Sequence, residues 1–309
     1  MFDLSMIEAV LLTIITASTP LLLAAIGELV SERSGVLNLG VEGMMIVGAV
    51  MGFAATQATG SPYIGIVAAM ISGVAMSLLF GFLTLNLMTN QVATGLALTI
   101  LGLGLSGMIG EAFIGQPGIS LEPIAIPGLS AIPFIGSMLF NQDLLVYASY
   151  GLVIAVYFVL FRSRTGLIIR AVGDNHGSAH SLGYSVIKVR YLAVMFGGAC
   201  SGLAGAYLSL IYTPQWVEGM TAGRGWIALA LVVFASWRPA RVLVGAYLFG
   251  AVSILQFHAQ AAGIGLPTQL MSALPYLATI IVLIMISRSK TLAKINTPAC
   301  LGKPFVPDR

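Results

Sequence analysis

Four polar side chains stand where apolar stretches of this chain begin or break: Asn38, Glu42, Asn90 and Gln91. Amides and a carboxylate in such places can satisfy free backbone groups at helix ends, and can equally hydrogen-bond a polar solute passing between helices. Covalent chemistry has no foothold. The chain holds no GxxxxGK(S/T) phosphate loop and no nucleophile–base constellation, and His176 and His180 share a polar connection. Cys200 lies in an apolar stretch and Cys300 near the C-terminus, so neither a disulfide nor a thiolate metal site is expected. Gly102, Gly104 and Gly107 spell GxGxxG, but inside an apolar stretch and not after a strand. Close helix packing is the expected role there, as for Gly48/Gly52 and Gly198/Gly202.

The elements that must position these residues are set by composition. Only 8% of the 309 residues are charged and 58% are hydrophobic, against roughly 25% charged in an ordinary soluble domain. Such a chain needs lipid as its main solvent. A spanning helix takes about 20 mostly apolar residues. Nine stretches approach that length: 7–27, 41–59, 63–87, 92–115, 144–161, 191–213, 225–237, 242–258 and 273–287, the seventh of them short. The runs are continuous and not alternating, which argues against a β-barrel. The expectation is an all-α polytopic bundle of about nine (eight to ten) membrane helices. Residues 1–287 form one transmembrane domain and 288–309 a tail.

Charge sets the orientation. Arg162, Arg164, Arg170, Lys188, Arg190, Arg238, Arg241, Arg288, Lys290, Lys294, Lys303 and Arg309 all fall on one side of this arrangement. By the positive-inside bias that side is cytoplasmic, which places the N-terminus outside and the C-terminus in the cytoplasm of a bacterial inner membrane. The net charge of +3 is thus a topology signal and gives no reason to expect nucleic acid. The start lacks a basic n-region, so a cleaved leader is not expected.

Three connections are more than turns. Glu28–Gly43 is polar and glycine-bearing and leaves little room to exit the membrane. Irregular backbone at that depth survives only if buried in protein or lining a cavity, so it is either a pathway element or a polar turn before a helix. Gln116–Asp143 is rich in Pro and Gly and suits a cap over one mouth of the bundle or a docking loop. Arg162–Arg190 keeps an apolar face at Leu167, Ile168 and Ala171. Asp174 or Asn175 could cap a short second helix there, and Gly183 could end it in a left-handed turn. On these bounds no Asp, Glu, Lys or Arg falls mid-span, which disfavours a self-sufficient proton-coupled transporter. A channel, a secondary transporter or a scaffold subunit are the competing readings.

Five stretches then carry a resemblance: Glu32–Met45 (ERSGVLNLGVEGMM), Asn90–Gly104 (NQVATGLALTILGLG), Thr165–Gly205, Gly223–Phe234 (GRGWIALALVVF) and Pro275–Leu283 (PYLATIIVL). Together they resemble the permeases of the branched-chain amino acid, ribose and nucleoside group of ABC importers, and most of all the shorter permease subunit of nucleoside importers. The resemblance implies half of a translocation path for a nucleoside or similar small polar solute, with ribose or another simple sugar as the alternative. It implies a partner ATPase that holds the ATP, a second related permease and an extracytoplasmic solute-binding protein, with no cofactor on this chain. It assigns Asp174, Asn175, His176, Ser178, Ala179, His180 and Gly183 to the segment that couples to the ATPase, and raises the pathway reading of Asn38, Glu42, Asn90 and Gln91. The chain departs from the family at Thr99, where Asn is frequent, and at His176–Gly177, where Pro and small residues are frequent.

Overall fold

A computed structural model describes residues 4–130, 132, 135–261 and 296–306, with scattered positions between 267 and 284. The helices are α1 (Leu4–Arg33), α2 (Val41–Thr59), α3 (Pro62–Gly81), α4 (Gln91–Gly110), α5 (Ile135–Phe140), α6 (Leu144–Arg162), α7 (Arg164–Asp174), α8 (His176–Ser181), α9 (Val186–Tyr207), α10 (Arg224–Phe234) and α11 (Pro239–Ala261). α3 and α9 each finish in a π-helical turn, Phe82–Asn86 and Leu208–Tyr212. Seven helices among the described residues are long and apolar enough to cross a membrane: α1, α2, α3, α4, α6, α9 and α11. The seventh expected stretch is α10, only 11 residues long. Most of the ninth, 273–287, lies outside the described residues.

α9 is the centre of the bundle, with α1, α2 and α3 packed around it. Small residues let the backbones close up. A Cβ built at Gly27 would stand 2.5 Å from that of Cys200, and one at Gly48 would stand 2.6 Å from the Gly202 Cα. One at Gly73 would run into the Gly198 carbonyl. The packing role expected of Gly48 and of the Gly198/Gly202 pair is what these contacts show, and Gly102 packs in the same way on Gly43. Gly104 meets nothing within 4 Å. Leu21–Ile26 of α1 are buried on every side, as expected of a helix that is apolar all round and enclosed by others.

The two ends of the bundle differ. At the cap end, β1 (Ile124–Ala125) and β2 (Asn141–Gln142) pair antiparallel, with Ile124 opposite Gln142. Gly118 N donates to the Pro214 carbonyl at 3.0 Å and Gln57 Nε2 to that of Pro117 at 2.7 Å, which ties this lid to α2 and to the chain that follows α9. Asp143 Oδ1 caps α6 by accepting from Leu145 N and Val146 N. At the other, basic end lie Arg162, Arg164, Arg170, Lys188 and Arg190 together with α7, α8 and Asn296–Val306. Cys200 and Cys300 are both free.

Candidate transport path and coupling surface

Depth along the bundle can be read from helix rise. Gly198 lies about 18 Å along α9 from Val186, close to the middle of a hydrocarbon layer about 30 Å thick. α2 runs parallel to α9: Gly48 faces Gly202 and Ser209 Oγ donates to the Ala49 carbonyl at 2.8 Å. The first turn of α2 therefore sits near the level of Gly198, at mid-depth. α1 reaches the basic end at Arg33, and the chain then doubles back. Asn38 N donates to Glu28 Oε1 at 3.1 Å, so residues 34–40 climb beside the last turns of α1 to the start of α2. A second segment descends from the other side. After Tyr212 the chain passes the lid at Pro214 and reaches α10, whose N-terminus meets α2 at the same mid-depth.

The two non-helical segments meet on Glu42. Its Oε1 accepts from Thr221 Oγ1 at 2.6 Å and from Gly223 N at 2.8 Å, and its Oε2 accepts from Gly225 N at 2.6 Å. Those from Gly223 N and Gly225 N are charge-assisted bonds from free N–H groups at the N-terminus of a helix, where the helix dipole also favours an anion. Glu42 is buried, so bonds and dipole together offset the loss of its hydration. At 11 residues, about 16 Å, α10 spans from this junction to the basic end. This half-length explains why its stretch is short in the sequence. Gly225 is required by the close approach, since a Cβ there would stand 2.6 Å from Glu42 Cα.

Two of the other three predicted pathway residues brace the same segment. Asn38 is buried; its Oδ1 accepts from Gly40 N at 2.9 Å and its Nδ2 lies 3.5 Å from Met44 Sδ. Gln91 is buried, and its Oε1 accepts from Leu37 N at 2.8 Å. Asn90 caps α4 through Ala93 N at 3.0 Å and lines, with Gln91, Gly302 and Pro304, a cleft of about 300 Å³ at the basic end. Thr99, the family departure, donates its hydroxyl to the Leu39 carbonyl at 3.2 Å.

The segment expected from the resemblance to couple to an ATPase forms two helices. Ser163 caps α7 through Gly166 N at 3.1 Å and Asn175 caps α8 through Ser178 N at 3.0 Å. Gly183, with φ of +87°, ends α8 in the left-handed turn read from the sequence. Asp174, Asn175, Ser178 and His180 are exposed, whereas Ala179 packs inward with Val172, Val186 and Phe305. Leu182, at the turn after α8, is 77% exposed. His176 Nδ1 lies 3.2 Å from Arg190 Nη2. Partial burial, with Arg190 and Lys303 nearby, holds the His176 imidazole below its ordinary value.

Sequence reasoning missed the charged residues just before the break. It ends the first span at Gly27 and finds no Asp, Glu, Lys or Arg mid-span. The structure moves the end of that first span. α1 continues to Arg33, the irregular stretch is residues 34–40, and Glu28, Glu32 and Arg33 are buried. Glu32 Oε2 accepts from Trp237 Nε1 at 2.6 Å, and Arg33 donates to the Trp237 carbonyl through Nε at 3.3 Å and Nη2 at 3.0 Å. Ser236 and Trp237 have φ of +50° and +55°, an uncommon conformation outside glycine, held here by two consecutive residues of α1. The polar run from Glu28 to Arg33 was the available signal. Charge density alone does not separate a solvated turn from a buried helical one.

Comparison with known proteins agrees with this architecture. A family profile described as "Branched-chain amino acid transport system / permease component" matches residues 10–284. A putative glucose ABC transporter permease protein, TsgC13 of Haloferax volcanii, is 45% identical over 87% of this chain and 88% of its own. The guanosine ABC transporter permease protein NupQ of Bacillus subtilis is 31% identical over 94% of this chain and 93% of its own. The nucleoside ABC transporter permease protein NupC of Lactococcus lactis is 30% identical over 97% of both. Among solved structures, an inward-facing putative metal-chelate type ABC transporter shares the fold, with a TM-score of 0.52 and 17% identity over 90% of this chain and 85% of that one. The chain therefore belongs to the branched-chain amino acid transport system permease family, and is a membrane-spanning permease subunit of an ABC importer.

Proposed function

We propose that this chain forms half of a translocation path for a small polyhydroxylated solute, a nucleoside or a simple sugar, shared with a second related permease in a plasma membrane. The observation that carries the reading is the mid-depth junction at Glu42, where one irregular segment from each end meets. Irregular backbone at that depth is tolerated where protein or a water-filled path surrounds it, and discontinuous helices meeting at the midplane are a recurring way to build a transport site. Two relatives named for guanosine and nucleoside permeases favour the nucleoside. The 45% identical relative named for glucose favours the sugar.

In this reading the basic end is cytoplasmic and the lid faces outside, in line with the positive-inside bias. The N-terminus then lies outside. Residues 1–287 act as one permease domain and the tail that follows is cytoplasmic. The exposed face of α8, with Asn175, Ser178, His180 and Leu182, meets a partner ATPase that hydrolyses the ATP. Asn38, Glu42 and Gln91 set the closed position of residues 34–43, and Asn90 stands at the inner mouth. An extracytoplasmic binding protein delivers the solute to the lid.

The test is uptake into proteoliposomes holding the complex purified with its partner subunits, supplied with ATP inside and labelled guanosine or glucose outside. ATP-dependent accumulation of one of these, lost when the ATPase is inactivated, supports the reading. Accumulation driven by an ion gradient in the chain alone would replace it with a secondary transporter.

A further inference from the structure

Asn296–Val306 lies across the basic end and is tied to two different parts of the bundle. Cys300 N donates to the Gly173 carbonyl at 2.8 Å, on α7, and Gly302 N to the Gly35 carbonyl at 3.1 Å, in the segment that climbs to Glu42. Gly35 turns with φ of +88°. A Cβ there would stand 3.2 Å from the Cys300 carbonyl and 3.3 Å from Gly173 Cα, so three chain segments converge where only glycine fits. Further along, Phe305 is buried with its ring edge-on to both histidines of α8, centroids 5.2 Å from His176 and 5.3 Å from His180.

Arg190 sits under this crossing. It is among the largest fully buried side chains described. Its Nε donates to the Ser34 carbonyl at 3.2 Å, its Nη1 to the Lys303 carbonyl at 3.0 Å, and its Nη2 faces His176 Nδ1 at 3.2 Å. A guanidinium presents its donors in a fixed planar fork. One rigid group therefore reads three segments far apart in sequence: the climbing segment, the coupling helix and the C-terminal strap.

We propose that Arg190 and the strap Asn296–Val306 form a clasp that joins α7–α8 to residues 34–43, so that a displacement of α8 is delivered to the Glu42 junction. The inference rests on the proposed docking of α8 on an ATPase. α8 is six residues long and largely exposed, so a push on its outer face could be absorbed by tilting in place. The strap closes that escape by tying α7 and Gly35 through its own main chain and α8 through the Phe305 ring, and Arg190 holds the climbing segment, α8 and the strap together from below. Arg190 acts on transport through these neighbours, as a positioning residue.

The experiment compares the wild-type complex with Arg190→Ala, Phe305→Ala and a deletion beginning at Asn296, each purified with its partner subunits and reconstituted. The readout is solute accumulated per ATP hydrolysed. The expected result is intact assembly and ATP hydrolysis, with uptake per ATP lowered about tenfold or more, within the range of a coupling free energy. Arg190→Ala combined with the deletion is expected to lose no more than either alone, because both open one clasp. Unchanged uptake per ATP in an assembled Phe305→Ala or deletion complex overturns the clasp, as does a fully additive double variant. Phe305→Ala keeps the test available if Arg190→Ala fails to fold. A wild-type chain that recovers no ATPase would instead sink the docking reading beneath it, an outcome visible before any variant is made.

Discussion

Glu42 shows how far a single residue was readable. A carboxylate at the start of an apolar stretch was legible as an oddity. Its partners Thr221, Gly223 and Gly225 were not, because they lie more than 170 residues away in sequence and nothing local encodes that meeting. The Glu42→Gln substitution keeps the shape, yet sets an amide N–H₂ against donors on one side or the other. Leaving such a donor unmet in a buried place costs about 1–3 kcal/mol, and the charge assistance is lost as well. The variant is therefore expected to unfold at a lower temperature than wild type in detergent, and Glu42→Ala lower still. Equal midpoints would mean the junction does not hold the closed state. His176 gives the pH prediction. Its folded-state value lies below the ordinary one, first through burial and then through Arg190 and Lys303. The folded chain thus binds fewer protons than the unfolded one in the window below about pH 6.5, and stability rises with pH there. Acidification from pH 7.5 to 5.5 should lower the thermal midpoint less in His176→Gln than in wild type, since Gln carries no such titration. Identical pH slopes would remove His176 from the account.

Helices were the most legible level, and their limits the least. Seven of the nine expected stretches appear as spanning helices, because about 20 apolar residues leave the backbone no other way to satisfy itself in lipid. The two readings that moved did so for tertiary reasons. α1 runs through Glu32 and Arg33 because Trp237 supplies partners for both, and α10 is short because it starts at mid-depth on Glu42. Glycine patterns were legible as packing, but not which glycines matter. Gly48 would drive a Cβ into the Gly202 backbone, 2.6 Å from its Cα and 2.7 Å from its carbonyl oxygen, and no rotamer relieves a clash with main chain. Gly48→Val is expected to cost at least about 2 kcal/mol, the middle of the usual overpacking range. Gly104→Ala, in the GxGxxG run, meets open space and removes a helical glycine, so it should be neutral or stabilising by up to about 1 kcal/mol. Denaturation of both variants in one detergent checks the pair. Equal losses would show that α2 and α9 are not in backbone contact at Gly202.

For the molecule as a whole, asymmetry of charge carries orientation, a property no single helix possesses. The lid side of the described chain holds Glu111, Glu122, Asp143 and Glu218, with Arg224 folded over Tyr212 at 5.2 Å. The other side gathers the basic ends of α6, α7, α9 and α11 and the strap. Moving such a basic cluster across a membrane is disfavoured during insertion, whereas acidic loops contribute little, so the basic end should stay in the cytoplasm. The structure strengthens the inference in a way the loop count could not. Arg33 and Arg190 are buried against main-chain carbonyls from several segments, so the basic end is a folded unit that would have to cross intact. Single cysteines placed at Glu122 and at Ser178 test this, with Cys200 buried and Cys300 replaced by Ser. A membrane-impermeant maleimide added to intact cells should label Glu122→Cys at once and Ser178→Cys only after the membrane is opened. The reverse pattern would turn the importer over. Glu42 would still mark the meeting of the two segments, but α8 would face away from any cytoplasmic ATPase, and the coupling assigned to the clasp would have nothing to receive.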